Sequence, residues 1–164
     1  MYNAKDIAQY FILAEPEKYN KRMIERNGSK FYEGNARLNK YIQLSQNLYI
    51  TKFGIPLVDD MLLAYSNGAI VYNVMSNYSQ LITNKDNPTR IAEKDKEFLD
   101  RFIVMFKNST IDDLIELSHE DDAWLCAREK AKNGRSQKMY PNKYLETYKQ
   151  QYSDAVLIMD KIKL

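Results

Sequence analysis

Between Leu38 and Phe53 apolar residues return every three or four positions, through Leu38, Tyr41, Ile42, Leu44, Ser45, Leu48, Tyr49 and Phe53, and the run stops at Gly54. That period belongs to a helix, and a glycine just past the last periodic residue is a helix stop. The stripe is broad, so most of one side of this helix must be buried. It cannot be stable alone, and the rest of the chain has to cover it.

The flanking segments supply covers of the same kind. Ala4, Ile7, Ala8, Phe11 and Ile12 mark a first helix that ends at Glu15-Pro16, because the residue before a proline is pushed out of the helical region. Glu17 to Asn27 is charged, with Met23 and Ile24 as its clearest apolar contacts, and Gly28 closes it; it reads as a short exposed helix. Ile55 to Asn67 holds Pro56, the pair Asp59-Asp60 and the apolar run Met61 to Tyr65. Periodicity does not choose there between a short strand pair around residues 57–67 and an irregular packed loop.

Helical spacing returns from Ile70 to Ile82 through Val71, Val74, Met75 and Tyr78, and Asn84 to Thr89, with Asn87-Pro88, reads as a loop. Phe98, Leu99, Phe102, Ile103 and Phe106 mark the next helix, which starts among Glu93, Asp95 and Glu97. Ser109 or Thr110 caps another that carries Asp112 and Asp113 in its first turn and ends near Ser118. A short helix with Trp124, Leu125 and Ala127 precedes a break at Asn133-Gly134. Pro141 opens the last one, with Tyr144, Leu145, Tyr148, Tyr152, Ala155, Val156, Met159 and Ile162 on one side. The expected fold is mainly α: a compact multi-helix domain spanning 1–164, with at most one short strand pair.

The 164 residues suffice for one core, and a domain of this length buries about 70% of the surface its unfolded chain exposes. A hydrophobic share of 45% and a charged share of 28% fit neither a disordered nor a membrane protein. No apolar run approaches the length of a membrane span, and Met1 to Leu13 lacks the layout of a signal peptide. A lone Cys126 has no internal disulfide partner. These features point to the cytoplasm. A net charge of +2 gives no general drive towards nucleic acid or anionic membrane.

Chemistry is sparse. His119 is the one histidine, so a zinc site would combine it with Cys126 and carboxylates, a poor ligand set. Cys126 with His119 as base is conceivable, but a lone thiol is more often an inert core residue. Asp59-Asp60, Asp112-Asp113 and Glu120-Asp121-Asp122 could serve a carboxylate-based hydrolase or nuclease, yet two of these clusters sit where helix starts favour negative charge. Arg128, Lys130, Lys132, Arg135 and Lys138 gather beside Tyr140, but no nucleic-acid reader motif accompanies them. No catalytic residue, metal or cofactor is expected, and the chain reads as a protein binder rather than an enzyme.

The apolar side of the last helix continues through Tyr152, Val156, Met159 and Ile162 to the end of the chain. Such a stripe must be covered. Its cover is either the protein's own core or a partner, which could be a second copy.

Four sequence blocks carry a family resemblance. Met1 to Ile12 is one, and Leu38-Asn39-Lys40-Tyr41-Ile42-Gln43-Leu44-Ser45-Gln46 is similar to an L-x-K-L-L-Y-F-A-Q helix. Gly54-Ile55-Pro56-Leu57-Val58-Asp59-Asp60 is similar to a G-K-P-L-F-D-D turn, and Leu117-Ser118-His119-Glu120-Asp121-Asp122-Ala123-Trp124 to an L-T-H-x-x-x-P-W motif. In this order they resemble the SocA-like antitoxins with a Panacea domain, a family that includes phage-associated proteins. The departures are an aromatic Y-G-P-V block that stands here as Asn67-Gly68-Ala69-Ile70, Ala123 in place of the proline before Trp124, a long charged stretch at Glu15 to Gly34, and a helix extension over 152–164.

The resemblance implies an antitoxin-like role, in which the domain neutralises a neighbouring toxin or delivers it to a protease. It implies no catalysis. A phage host-takeover or structural interaction protein is the alternative. Lys40, Gln46, Pro56, Asp59, Gly68, His119 and Trp124 are carried over as structural positions of the family motifs, and His119 and Trp124 are expected to join a helix start to the core.

Overall fold

Gly54 stops the central helix where the stripe ends. In the computed structural model, which describes residues 1–88, 90–131 and 136–164, Gly54 has φ of 74° and its N–H bonds the Ile50 carbonyl. The elements in chain order are α1 (Ala4–Ala14), β1 (Met23–Arg26), β2 (Ser29–Tyr32), α2 (Glu33–Phe53), β3 (Leu62–Tyr65), β4 (Gly68–Val71), α3 (Tyr72–Ser76) and α4 (Tyr78–Thr83). There follow α5 (Glu93–Phe106), α6 (Ile111–His119), α7 (Asp122–Lys130), β5 (Gln137–Lys138) and α8 (Leu145–Asp160). The protein is mainly α.

Local chemistry sets the helix ends. The Asn3 side chain accepts the Lys5 N–H at the start of α1, and Asp60 accepts that of Ala4. Thr110 and Asp113 form a capping box on α6, satisfying two otherwise orphaned N–H groups. Around α2 the other helices bury their apolar stripes. Phe11 of α1 and Phe102 of α5 lie 5.2 Å from the Tyr41 ring of α2, and Tyr49 meets Phe98 at 5.1 Å. One hydrophobic cluster takes in Ile7, Leu38, Ile42, Phe98, Leu114 and Met159. Among the described residues no helix is long and apolar enough to cross a membrane.

Three expectations are corrected. The charged segment before Gly28 is no helix: a 3-10 turn over Pro16–Lys18 is followed by the antiparallel hairpin β1–β2, in which Met23 faces Tyr32 and Arg26 faces Ser29. Asn27 and Gly28, at φ of 52° and 79°, are both left-handed, the conformation an Asn-Gly hairpin turn requires. The strand pair lies further along the chain than expected, with β3 and β4 joined across Ser66-Asn67. The helix expected over Ile70 to Ile82 therefore loses its first residues to β4 and splits at Asn77 into α3 and α4. The small sheet has order β4-β3-β5. The break expected at Asn133-Gly134 lies outside the described residues.

Helix α8 lies along α2. Val156 and Met159 are buried and Tyr152 and Ile162 are half-buried, all packed on the protein's own core. Lys52 pairs with Asp160 at 2.5 Å, and Arg101 Nε donates to the Ile162 carbonyl at 3.1 Å. The outward side of α8 instead carries Leu157 and Ile158, 58% and 60% exposed.

Candidate binding site around Lys40

A helix polar on one side ordinarily turns that side to water. In α2 every residue from Arg37 to Ile50 is buried, polar ones included. Burial leaves these side chains only protein groups to bond, and they are spent on backbone. Asn39 Oδ1 accepts the Val71 N–H at 2.8 Å, Gln43 Oε1 accepts the Ala69 N–H at 3.2 Å, and Lys40 Nζ donates to the Ala69 carbonyl at 2.9 Å. The outer edge of β4 is thus completed by side chains of a helix. One turn on, Gln46 Oε1 accepts the N–H groups of Leu57 and Val58, and its Nε2 donates to the Val58 carbonyl, which holds the turn after Pro56.

Gln43 and Asn47 also reach the other way. Both donate to Oδ2 of Asp121, which has no exposed surface, at 3.0 and 2.8 Å. The Asp121 Oδ1 accepts the Ala123 N–H, capping α7, and the Tyr148 hydroxyl. This carboxylate ties α2, α7 and α8 together.

Lys40 is 3% exposed, and its ammonium bonds only the Ala69 carbonyl among the described residues. Burial pulls it down to about 7, since removing an ammonium from water favours the neutral amine. Gly68, at φ of 112°, lies against it, where an added Cβ would collide with Lys40 Cε and Ser118 Oγ. Nearby, the rings of His119 and Trp124 stack at 4.2 Å with 12° between planes, and the indole N–H donates to the Tyr65 carbonyl at 2.9 Å. Arg128 donates to the next carbonyl, that of Ala64, at 3.1 Å. The His119 imidazole is pushed below its ordinary value by burial and then by the Lys40 charge, with a backbone bond to Ser66 opposing.

Lys40 also lines a cavity of about 230 Å³ between the two hairpins. Phe31, Ile70, Met75 and Ile115 give it apolar walls, and Asn35, Asn39 and Asn67 supply amides.

The motif residues thus divide into two groups. Lys40, Gly68, His119 and Trp124 converge on the β3–β4 hairpin. Pro56 and Asp59 lie in the turn that pairs with the chain start, where the Tyr2 N–H bonds the Leu57 carbonyl and the Asp59 N–H bonds the Tyr2 carbonyl, and Gln46 holds that turn from α2. Among the described residues no three His, Cys, Asp or Glu side chains gather as a metal site. Of the expected basic cluster, Lys132 and Arg135 lie outside the described residues.

A family model described as "Antitoxin SocA-like, Panacea domain" matches residues 38–125, more than half of the chain. The chain belongs to this family. The Panacea match runs from Leu38 in α2 to Leu125 in α7, so it holds Lys40, Gly68, His119 and Trp124, together with Gln43 and Asp121, which motif reasoning passed over. Residues 1–37 and α8 lie outside it. No curated protein and no solved structure matches the chain. Membership gives the chain an antitoxin-like character, whose natural counterpart is a protein partner such as a toxin.

Proposed function

We propose that residues 1–164 form a single cytoplasmic antitoxin domain that neutralises a toxin encoded beside it by binding it directly, without catalysis. The observation that carries this reading is the Panacea match over 38–125. That segment contains most of the central helix, the β3–β4 hairpin, α6 and the start of α7, a framework fixed by buried hydrogen bonds to Asp121 and to the β4 edge. A rigid framework of this kind limits the conformational cost of binding. The outward side of α8, with the exposed Leu157 and Ile158, supplies part of the contact surface.

The experiment is to induce the neighbouring reading frame with and without this chain. Rescue of growth, with the two proteins co-purifying as a stable complex, is the expected result. Rescue that disappears in a host lacking its cytoplasmic proteases, with the toxin accumulating, would replace direct neutralisation by delivery to a protease. A neighbour that is harmless and does not bind would overturn the reading.

A further inference from the structure

The cavity beside Lys40 has a one-sided charge. Lys40 and Lys30 both line it, and no aspartate or glutamate does. A buried ammonium has three N–H groups to satisfy, and an uncompensated charge out of water is costly. Lys40 has one acceptor among the described residues, the Ala69 carbonyl, and no carboxylate partner. The opposite charge that would balance it is not on the cavity wall.

The rest of the wall sets the shape of a complementary molecule. Phe31, Ile70, Met75 and Ile115 favour an apolar body, and the amides of Asn35 and Asn39, already bonded to each other, to the Met75 carbonyl and to the Val71 N–H, leave Lys40 as the polar group on this helix that still needs acceptors. An apolar cavity of about 150 Å³ can hold a benzene ring, so about 230 Å³ holds a six-carbon chain or a phenyl group with a short acid arm.

We propose that this cavity is a binding site for a small monocarboxylate with an apolar body, its carboxylate set against Lys40 and its tail against Phe31, Ile70 and Ile115. A bound carboxylate supplies the missing acceptors for the ammonium, and a charge-assisted bond in a partly desolvated pocket is stronger than one in water. Burial alone holds the ammonium near its titration point, so an adjacent anion also stabilises its charged form. Gly68 leaves the room in which the lysine stem lies. The proposal is independent of the toxin partner, because it needs only the isolated chain.

The test is an amide NMR titration of the full chain with hexanoate and phenylacetate, each compared with its neutral amide, hexanamide and phenylacetamide. The expected result is saturable shifts at Ala36, Asn39, Lys40, Asn67 and Ile70, with each acid binding about tenfold or more tightly than its amide. Lys40→Met, which keeps the length of the stem, should lose that preference. Because Lys40 also holds Ala69, Ala36→Phe is the second variant: it fills the cavity with Lys40 in place and should abolish the shifts. Equal binding of acids and amides, an unchanged acid affinity in a folded Lys40→Met, or no saturable shift in the wild type would each overturn the proposal.

Discussion

The Tyr148 hydroxyl donates to Oδ1 of Asp121 at 2.6 Å, and both side chains are wholly buried, so one hydrogen bond joins α8 to the cap of α7. Burial and the facing carboxylate push the phenol well above its ordinary range, so it stays a donor at any pH at which the protein is folded. Tyr148→Phe keeps the ring and removes the bond. A hydrogen bond to a charged group is worth about 1.5 to 3 kcal/mol, and urea unfolding at neutral pH should show a loss of that size with an unchanged m-value. A loss below about 0.5 kcal/mol would mean that Gln43, Asn47 and the Ala123 N–H already satisfy the carboxylate.

Trp124→Ala removes the stack on His119, the bond to Tyr65 and a large buried volume. The expected cost is about 3 to 5 kcal/mol, seen as a fall in Tm on the order of 10 °C. A variant with unchanged Tm that no longer binds its partner would make the tryptophan a contact residue.

Lys40 makes stability depend on pH in a calculable direction. Its ammonium titrates at about 7 in the folded protein against the ordinary 10.5 when unfolded. Between those values the unfolded chain holds the proton and the folded one releases it, so stability from this group rises with pH, by at most about 1.4 kcal/mol per unit. Below about 7 both states are protonated and the full penalty is present. His119, whose imidazole faces the same charge, is already neutral through this window. The stability of Lys40→Met minus that of the wild type should therefore shrink from pH 7 to pH 9 in urea titrations. A constant difference would show that water reaches the ammonium.

Deleting residues 152–164 takes Val156 and Met159 out of the core, together with the Lys52–Asp160 pair. Each large apolar side chain is worth about 1.5 to 3 kcal/mol when buried, so the truncated chain should melt well below the full one. Melting at the same temperature would mean that α8 contributes little to the fold and is free to serve a partner.

Much of this was legible in the sequence where pattern and punctuation agreed. Gly54 marked the end of α2, Thr110 the start of α6, and the acids at 120–122 the start of α7, each through local backbone chemistry. The β1–β2 hairpin was missed because four-residue strands carry almost no period; Asn27-Gly28 was the signal, read as a helix stop instead of a turn. The polar network around Lys40 was missed for a different reason. Asn39, Gln43 and Asn47 look like the wet side of an amphipathic helix, and only the tertiary fold reveals that β4 and Asp121 take the place of water. Lys40 was found through the family motif alone, and its cavity needs two hairpins distant in sequence.

The side chains of Asn39, Lys40 and Gln43 along β4 have a further consequence. An open strand edge invites pairing with any extended peptide, whether a partner's strand or a misfolded copy. Here α2 already occupies those donors and acceptors, so recognition by strand addition is closed on that side, and so is the commonest route from a small sheet to aggregation. A partner that approaches the β4 side therefore meets side chains rather than an open backbone, and its choice can change by surface substitution without reopening that edge.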